Sequence, residues 1–286
     1  MSAPDASASG NHAARLIRLV MPVAVLAAGL GLWELVVRVN DIQPYVLPAP
    51  SAILEALIHD WGLLSQSLLT TLLTTFEGFV AAAIGGIVLA LLFNLSKWLE
   101  YSLFPYAVVL QVTPVIAIAP LLLIYLSQPT AVVVCAWIVA FFPVLSNTTL
   151  GLNSVDRNLA GLFQLYGASR LQTLCFLKLP AALPFILGGL RIAGGLSLIG
   201  AVVAEIAAGS AGAGSGLAYR IAESGYRLNI PRMFAALLLL SAAGIVIYGL
   251  LALTSHLMLR RWHESALGKE YYKWWAGIFH RRRSTF

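Results

Sequence analysis

Six stretches of about twenty or more mostly apolar residues, near 16 to 37, 68 to 95, 102 to 127, 130 to 151, 183 to 208 and 233 to 259, dominate this chain. That length is what a bilayer's hydrocarbon core asks of a helix, and within lipid a helix is one of the few folds that satisfies its own backbone. The chain is therefore read as an all-α membrane protein with six transmembrane helices. With 59% hydrophobic and 10% charged residues in 286, it carries more apolar surface than a soluble fold of this size buries. The first run follows Arg15 and Arg18, exceeds the core of a secretion signal and carries Glu34 near its end, so it is read as an uncleaved span. Residues 1–15 are expected to be a disordered cytoplasmic terminus, 16–260 the transmembrane domain and 261–286 a basic, aromatic cytoplasmic tail.

An even number of spans puts both termini on one side. Arg15, Arg18, Lys97, Arg157, Arg170, Lys178 and the basic residues from Arg260 onward fall there, against Arg38, Arg220, Arg227 and Arg232 on the other. The excess of Lys and Arg marks the first side as cytoplasmic. The same bias accounts for the net charge of +6 and leaves no call for nucleic acid as a partner.

Between the fourth and fifth spans, on that side, residues 156–180 are too short and too polar to cross. Leu159, Leu162, Phe163 and Tyr166 recur at i, i+3, i+4 and i+7, one face of a short helix, and Gly167 offers its stop. An amphipathic helix at a membrane protein's surface serves either a partner's groove or the lipid interface.

Pro105, Pro114 and Pro120 interrupt the third span and Pro143 the fourth. Prolines inside a membrane need protein or a cavity to satisfy the backbone groups they release, so these spans are expected to line a pathway or to kink for packing. Small residues at four-residue spacing, Gly78, Ala82 and Gly86 in the second span and Gly189, Ala193, Ser197 and Ala201 in the fifth, predict close helix contacts. Glu77, Arg191 and Glu205 are ionisable groups at membrane depth and, with the polar Gln111, Thr113 and Asn147, are the candidate pathway residues. Arg191 and Glu205, fourteen positions apart, are too distant along one helix to touch, so each needs another partner. Snorkelling of both toward the interfaces is an equal reading, and interhelical hydrogen bonding is an alternative for the three polar residues.

No catalytic or metal site is read. The histidines are scattered without ligand spacing, Cys135 and Cys175 do not form a pattern, and the Gly209–Gly216 loop is not followed by the Gly-Lys-Ser/Thr of a phosphate cradle. Without a Walker motif the chain cannot hydrolyse ATP by itself. An ion- or proton-coupled secondary transporter or channel using Glu77, Arg191 and Glu205 is the alternative that these residues leave open.

A set of short motifs then resembles one family. They are L-P-A-P-S at Leu47 to Ser51, T-P-V-I-A-I-A-P-L at Thr113 to Leu121, F-F-P-V-L-S-N-T at Phe141 to Thr148, and G-A-S-R at Gly167 to Arg170. They continue with L-P-A-A-L-P at Leu179 to Pro184, G-L-R at Gly189 to Arg191, A-E at Ala204 to Glu205 and G-L-A-Y at Gly216 to Tyr219. In this order they resemble the inner-membrane permease subunit of binding-protein-dependent ABC importers, in the branch that includes nitrate, sulfonate, taurine and pyrimidine-precursor systems. The resemblance implies a type I importer bundle in the bacterial inner membrane, a cytoplasmic ATP-binding subunit that carries the ATP and Mg, an external solute-binding protein, and a second permease copy or a close paralogue. It also implies that Leu159, Gly161, Leu162, Phe163, Tyr166, Gly167 and Arg170 belong to the ATPase-coupling segment. Gly167 matches the glycine of the family's Glu-Ala-Ala-x-x-x-Gly motif, whereas Gly161, Leu162 and Phe163 replace its Glu-Ala-Ala. No cofactor is expected on this chain.

Overall fold

The computed structural model describes residues 7–209 and 214–260, with the side chains of 7–19 left aside. The expected readings of the 261–286 tail and of residues 210–213 of the glycine-rich loop lie outside the described residues. The helices are α1 (Ser7–Val39), α2 (Pro50–His59), α3 (Trp61–Leu95), α4 (Lys97–Val112), α5 (Val115–Tyr125), α6 (Gln128–Asn153), α7 (Arg157–Leu165), α8 (Arg170–Thr173), α9 (Leu179–Ala208), α10 (Leu217–Tyr226) and α11 (Ile230–Leu259). No strand occurs among the described residues. Helix α1 begins earlier than the expected span, at Ser7, inside the stretch expected to be disordered, where Ala13 and Ala14 favour helix.

The chain divides into two compact units, one comprising residues up to Gln66 with Arg220–Leu238, the other Ser67–Tyr219 with the residues from Leu239 onward. In the first, Arg232 makes a forked contact with Asp60, Nε to Oδ2 at 2.5 Å and Nη2 to Oδ1 at 2.9 Å. That hydrogen-bonded guanidinium holds the Asp60 carboxyl below the usual carboxylate range. Trp33 packs against Phe234, ring centroids 5.9 Å apart.

In the second unit α6 is the central helix, and the small-residue ridges meet it as their spacing predicts. A Cβ placed on Gly78 of α3 would lie 2.5 Å from the Ala136 Cβ, and one on Gly189 of α9 would lie 2.8 Å from the Asn147 Cβ and 3.0 Å from the Pro143 carbonyl oxygen. Both α3 and α9 thus approach α6 at backbone distance, which only glycine permits. Ala82, Ala193, Ser197 and Ala201 are fully buried in the same seams. The Ser197 hydroxyl donates to the Thr75 carbonyl at 2.8 Å, tying α9 to α3 directly.

The third expected span, 102 to 127, is not one helix. It breaks at Thr113–Pro114, and α4 and α5 meet there at 99°. A residue before proline is driven from helical toward extended backbone, and Thr113 has ψ 123. Pro105 and Pro120 sit inside their helices without breaking them. The bent pair still makes one crossing. Asn94, at the end of α3, accepts from Lys178 Nζ at 2.9 Å and donates to Asn153, at the end of α6, at 3.4 Å. The ends of α3 and α6 and the start of α9 therefore share one end of the bundle, so α4–α5 and α6 together run out and back. The other spans are helices of 20 to 39 residues that pass the length and hydropathy expected of a crossing.

Leading into α9, residues Leu174–Lys178 form a π-helical turn in which the Leu179 N–H bonds the Leu174 carbonyl. Pro180 follows at once. Its ring would press on the Phe176 carbonyl in a regular α-turn, and a widened turn relieves this.

Candidate functional site

At one end of the second unit the chain presents α7. Asp156 caps it, its carboxylate accepting from the Asn158 N–H at 2.6 Å, and Gly167 stops it with φ +71 while the Ala168 N–H returns to the Phe163 carbonyl at 3.0 Å. This is the glycine-terminated closure that the sequence predicted. No residue of α7 is buried. Leu159, Leu162, Leu165 and Tyr166 are exposed, Leu165 and Tyr166 at 86% and 85%. The apolar face differs from the predicted one in a single member: Phe163 is turned half inward, and Leu165, which the i, i+3, i+4 pattern passed over, takes the outer position. Gly161 is half-buried, and a side chain there would meet nothing within 4 Å. Beyond Gly167, Ser169 and Gln172 form a reciprocal capping box that starts α8 at Arg170, whose side chain is exposed.

Behind α7 lies a cavity of about 570 Å³ lined by Asn94, Leu95, Ser96, Lys97 and Trp98 from the α3–α4 turn, by Ala160, Gln164 and Ala168, and by Arg170, Thr173 and Lys178. The sequence reading counted Lys97 and Lys178 only as topology markers. Their meeting, across 80 positions of chain, has no local signature.

Within the bundle, the α4–α5 break opens a hollow of about 320 Å³ lined by Gln111, Thr113, Pro114, Ile138, Pro143 and Leu196, among others. Two of the predicted polar residues, Gln111 and Thr113, are brought together there. The Thr113 hydroxyl donates to the Val109 carbonyl at 2.7 Å, the same oxygen that the Thr113 N–H bonds at 3.1 Å. Asn147 is placed differently: its amide bonds the Pro143 carbonyl at 2.8 Å, and Gly189 packs against its Cβ. Glu77 lies on the exposed face of α3 beside Phe76, with no hydrogen bond or ion pair among the described residues. Arg191 stands 6.0 Å from the centre of the Tyr248 ring, a cation–π arrangement, while its Nε is buried without a hydrogen-bond partner among the described residues.

Glu205 is the most enclosed carboxylate among the described residues, 2% exposed. Its Oε1 accepts from the Thr71 hydroxyl at 2.8 Å and its Oε2 from the Ala218 N–H at 3.0 Å, while the Leu217 N–H donates to Thr71 Oγ1 at 2.8 Å. The first N–H groups of α10 have no intrahelical acceptor, and a carboxylate placed there also meets the positive end of the helix dipole. Gly216 lies against that carboxylate so closely that a Cβ would collide with it. The A-E and G-L-A-Y motifs are thus two halves of one contact. Thr71, the third member, was not singled out in the sequence, since a threonine in an apolar run is common and its partner lies 134 residues away.

Comparison with known proteins agrees with this architecture. Residues 82–260 match the family described as binding-protein-dependent transport system inner membrane component. A probable ABC transporter permease protein of Haemophilus influenzae is 33% identical over 81% of this chain and 94% of its own length. The riboflavin transport system permease protein RibX of Chloroflexus aurantiacus is 32% identical over 86% and 91%. Further relatives are named for transport of formylaminopyrimidine, aliphatic sulfonates, nitrate and taurine. Among solved structures, an amino acid ABC transporter crystallised with histidines matches 70% of this chain and 96% of its own with TM-score 0.57 and 21% identity, a likeness of fold.

Proposed function

From the premise that this chain belongs to the binding-protein-dependent ABC importer permeases, of the nitrate, sulfonate and taurine branch, we propose how its parts divide the work of importing a small solute. The chain is the membrane-embedded transport subunit, not an enzyme, and ATP hydrolysis belongs to a separate chain. Helix α7 is the receiver of that ATPase's motion. The observation that carries this reading is its construction: a capped, glycine-stopped helix with no buried residue and an outward row of Leu159, Leu162, Leu165 and Tyr166. An apolar row of this kind is costly in water and fits an apolar cleft of a partner. Gly161, Leu162 and Phe163, standing where the family has Glu-Ala-Ala, make the contact apolar instead of acidic. The docking segment extends through Gly167 and Arg170.

The solute route follows the α4–α5 break. Its hollow is largely apolar, with the Gln111 amide and the Thr113 hydroxyl as polar groups. Such a lining passes a solute without holding it, and selection is left to the external binding protein. A second copy of the chain completes the route, and Glu77, an exposed carboxylate at mid-span, faces that copy or the route instead of lipid. Arg191 braces α9 against Tyr248, and Glu205 fastens α10. Both termini and α7 lie in the cytoplasm.

The test replaces Leu162 with Glu in the assembled transporter. Co-purification of the ATPase and solute uptake are expected to be lost while the permease stays in the membrane; unchanged assembly and uptake would overturn the assignment. Sidedness is read from the exposed Cys175. A membrane-impermeant maleimide should label it in inside-out vesicles and not in intact spheroplasts, with buried Cys135 silent in both.

A further inference from the structure

We propose that the basic cavity behind α7 holds the phosphate of an anionic phospholipid headgroup. The proposal rests on the cytoplasmic placement of α7 given above and adds a ligand to that face. Three cations, Lys97, Arg170 and Lys178, line the cavity, and among the described residues no carboxylate does. Lys178 is half-buried and reaches across to Asn94, while the Arg170 side chain makes no hydrogen bond or ion pair among the described residues. Lys97 bonds Glu100, which lies outside the lining, at 2.5 Å. Like charges gathered around a concave space repel one another, and an anion between them relieves that repulsion. Asn94, Ser96 and Thr173 add neutral hydrogen-bonding groups suited to phosphate oxygens.

Depth selects a lipid as the source of the phosphate. The cavity lies where α3 ends, α4 begins and the approach to α9 starts, the level of a headgroup for spans of this length. Trp98 and Tyr101, 85% and 77% exposed, continue from it along the first turn of α4, as aromatic residues do at the membrane boundary. Basic pockets between helices on the cytoplasmic side are suited to anionic headgroups, and the volume of about 570 Å³ falls in the roughly 300–1,000 Å³ range of small-ligand sites. Ala160 and Gln164 of α7 form one wall, so a bound headgroup would brace the helix that meets the ATPase from behind.

The permease, purified as the complex with its ATPase, is placed in phosphatidylcholine nanodiscs with or without phosphatidylglycerol. Retained lipid is then counted by native mass spectrometry. Wild type is expected to retain phosphatidylglycerol selectively. Lys178→Gln should weaken that retention about fivefold and Lys97→Gln with Lys178→Gln further, since each cation near an anionic surface contributes about a factor of five. Lys178→Arg should restore it. Should Lys178→Gln not assemble, Lys97→Gln alone, at an exposed side chain, gives the same reading. Equal retention of both lipids by wild type, or unchanged preference in the Gln variants, overturns the proposal. So does binding of inorganic phosphate that abolishes the lipid preference, which would make free phosphate the ligand. Loss of the ATPase from Lys178→Gln with phosphatidylglycerol still retained would make the cavity an ATPase contact and equally overturn it. Cys175 labelling reads sidedness separately, so an error in the orientation is told apart from an error in the ligand.

Discussion

The two ends of the second unit treat their polar groups in opposite ways. Around Glu205 every participant is enclosed: Thr71, Leu217 and Ala218 are fully buried, and the Thr71 hydroxyl and the Leu217 and Ala218 N–H groups are all used. In α7 no residue is buried, the apolar row is bare, and the cations behind it surround an open cavity. A buried, satisfied polar group stiffens its surroundings because any departure leaves a charge or an N–H unpaired. An exposed apolar row and cations gathered around an open cavity are instead unfinished contacts. Under the proposed docking of the ATPase on α7, one end of the permease transmits force while the other holds its helices in register, and this division is what such a mechanism asks for.

The largest effect is expected from breaking the closed end. Glu205→Ala leaves the Thr71 hydroxyl and the Ala218 N–H unpaired in a buried site, a loss of about 2–4 kcal/mol. Thermal unfolding of the purified protein in detergent should fall accordingly, and protease should cut near the start of α10 sooner. Glu205→Gln keeps the shape but turns an amide N–H toward one of the two donors, so a smaller loss follows. Normal stability with altered solute transport in Glu205→Gln would place the residue in the route and remove the closed end from the comparison.

The helical part of this plan was legible because membrane spans announce themselves by length and because glycine ridges repeat every four residues. Gly78 and Gly189 touch α6 where spacing alone said that some helix must come close. The α4–α5 break was legible in kind, since Thr113 precedes a proline, but not in size: three prolines occur in that run, and only the one preceded by an extended residue breaks it. Which side of α7 faces out was read nearly correctly, with Leu165 and Phe163 exchanged, because a nine-residue helix allows the apolar row to drift by one position without disturbing the periodicity. Contacts between distant residues were not legible. Glu205 was evident as an ionisable group that needed a partner, but nothing in the sequence names Thr71, and nothing in Lys97 or Lys178 says that they line one cavity.

The comparison is sharpened further by two glycines, one at each end. At the closed end Gly216→Ala puts a methyl into the Glu205 carboxylate, and the backbone there does not need a left-handed conformation, so the cost is steric. The carboxylate must move and surrender a hydrogen bond, about 1–3 kcal/mol. At the open end a methyl on Gly167 meets nothing within 4 Å, and the cost is only the left-handed backbone at φ +71, about 1 kcal/mol. That cost falls on a short exposed helix end whose fraying leaves the bundle intact. Gly167→Ala is therefore expected to leave the unfolding temperature of the purified permease almost unchanged while weakening ATPase retention severalfold, and Gly216→Ala to do the reverse. An unfolding temperature lowered as far by Gly167→Ala as by Gly216→Ala would mean that α7 is packed into the fold after all, and the contrast between the two ends would be lost.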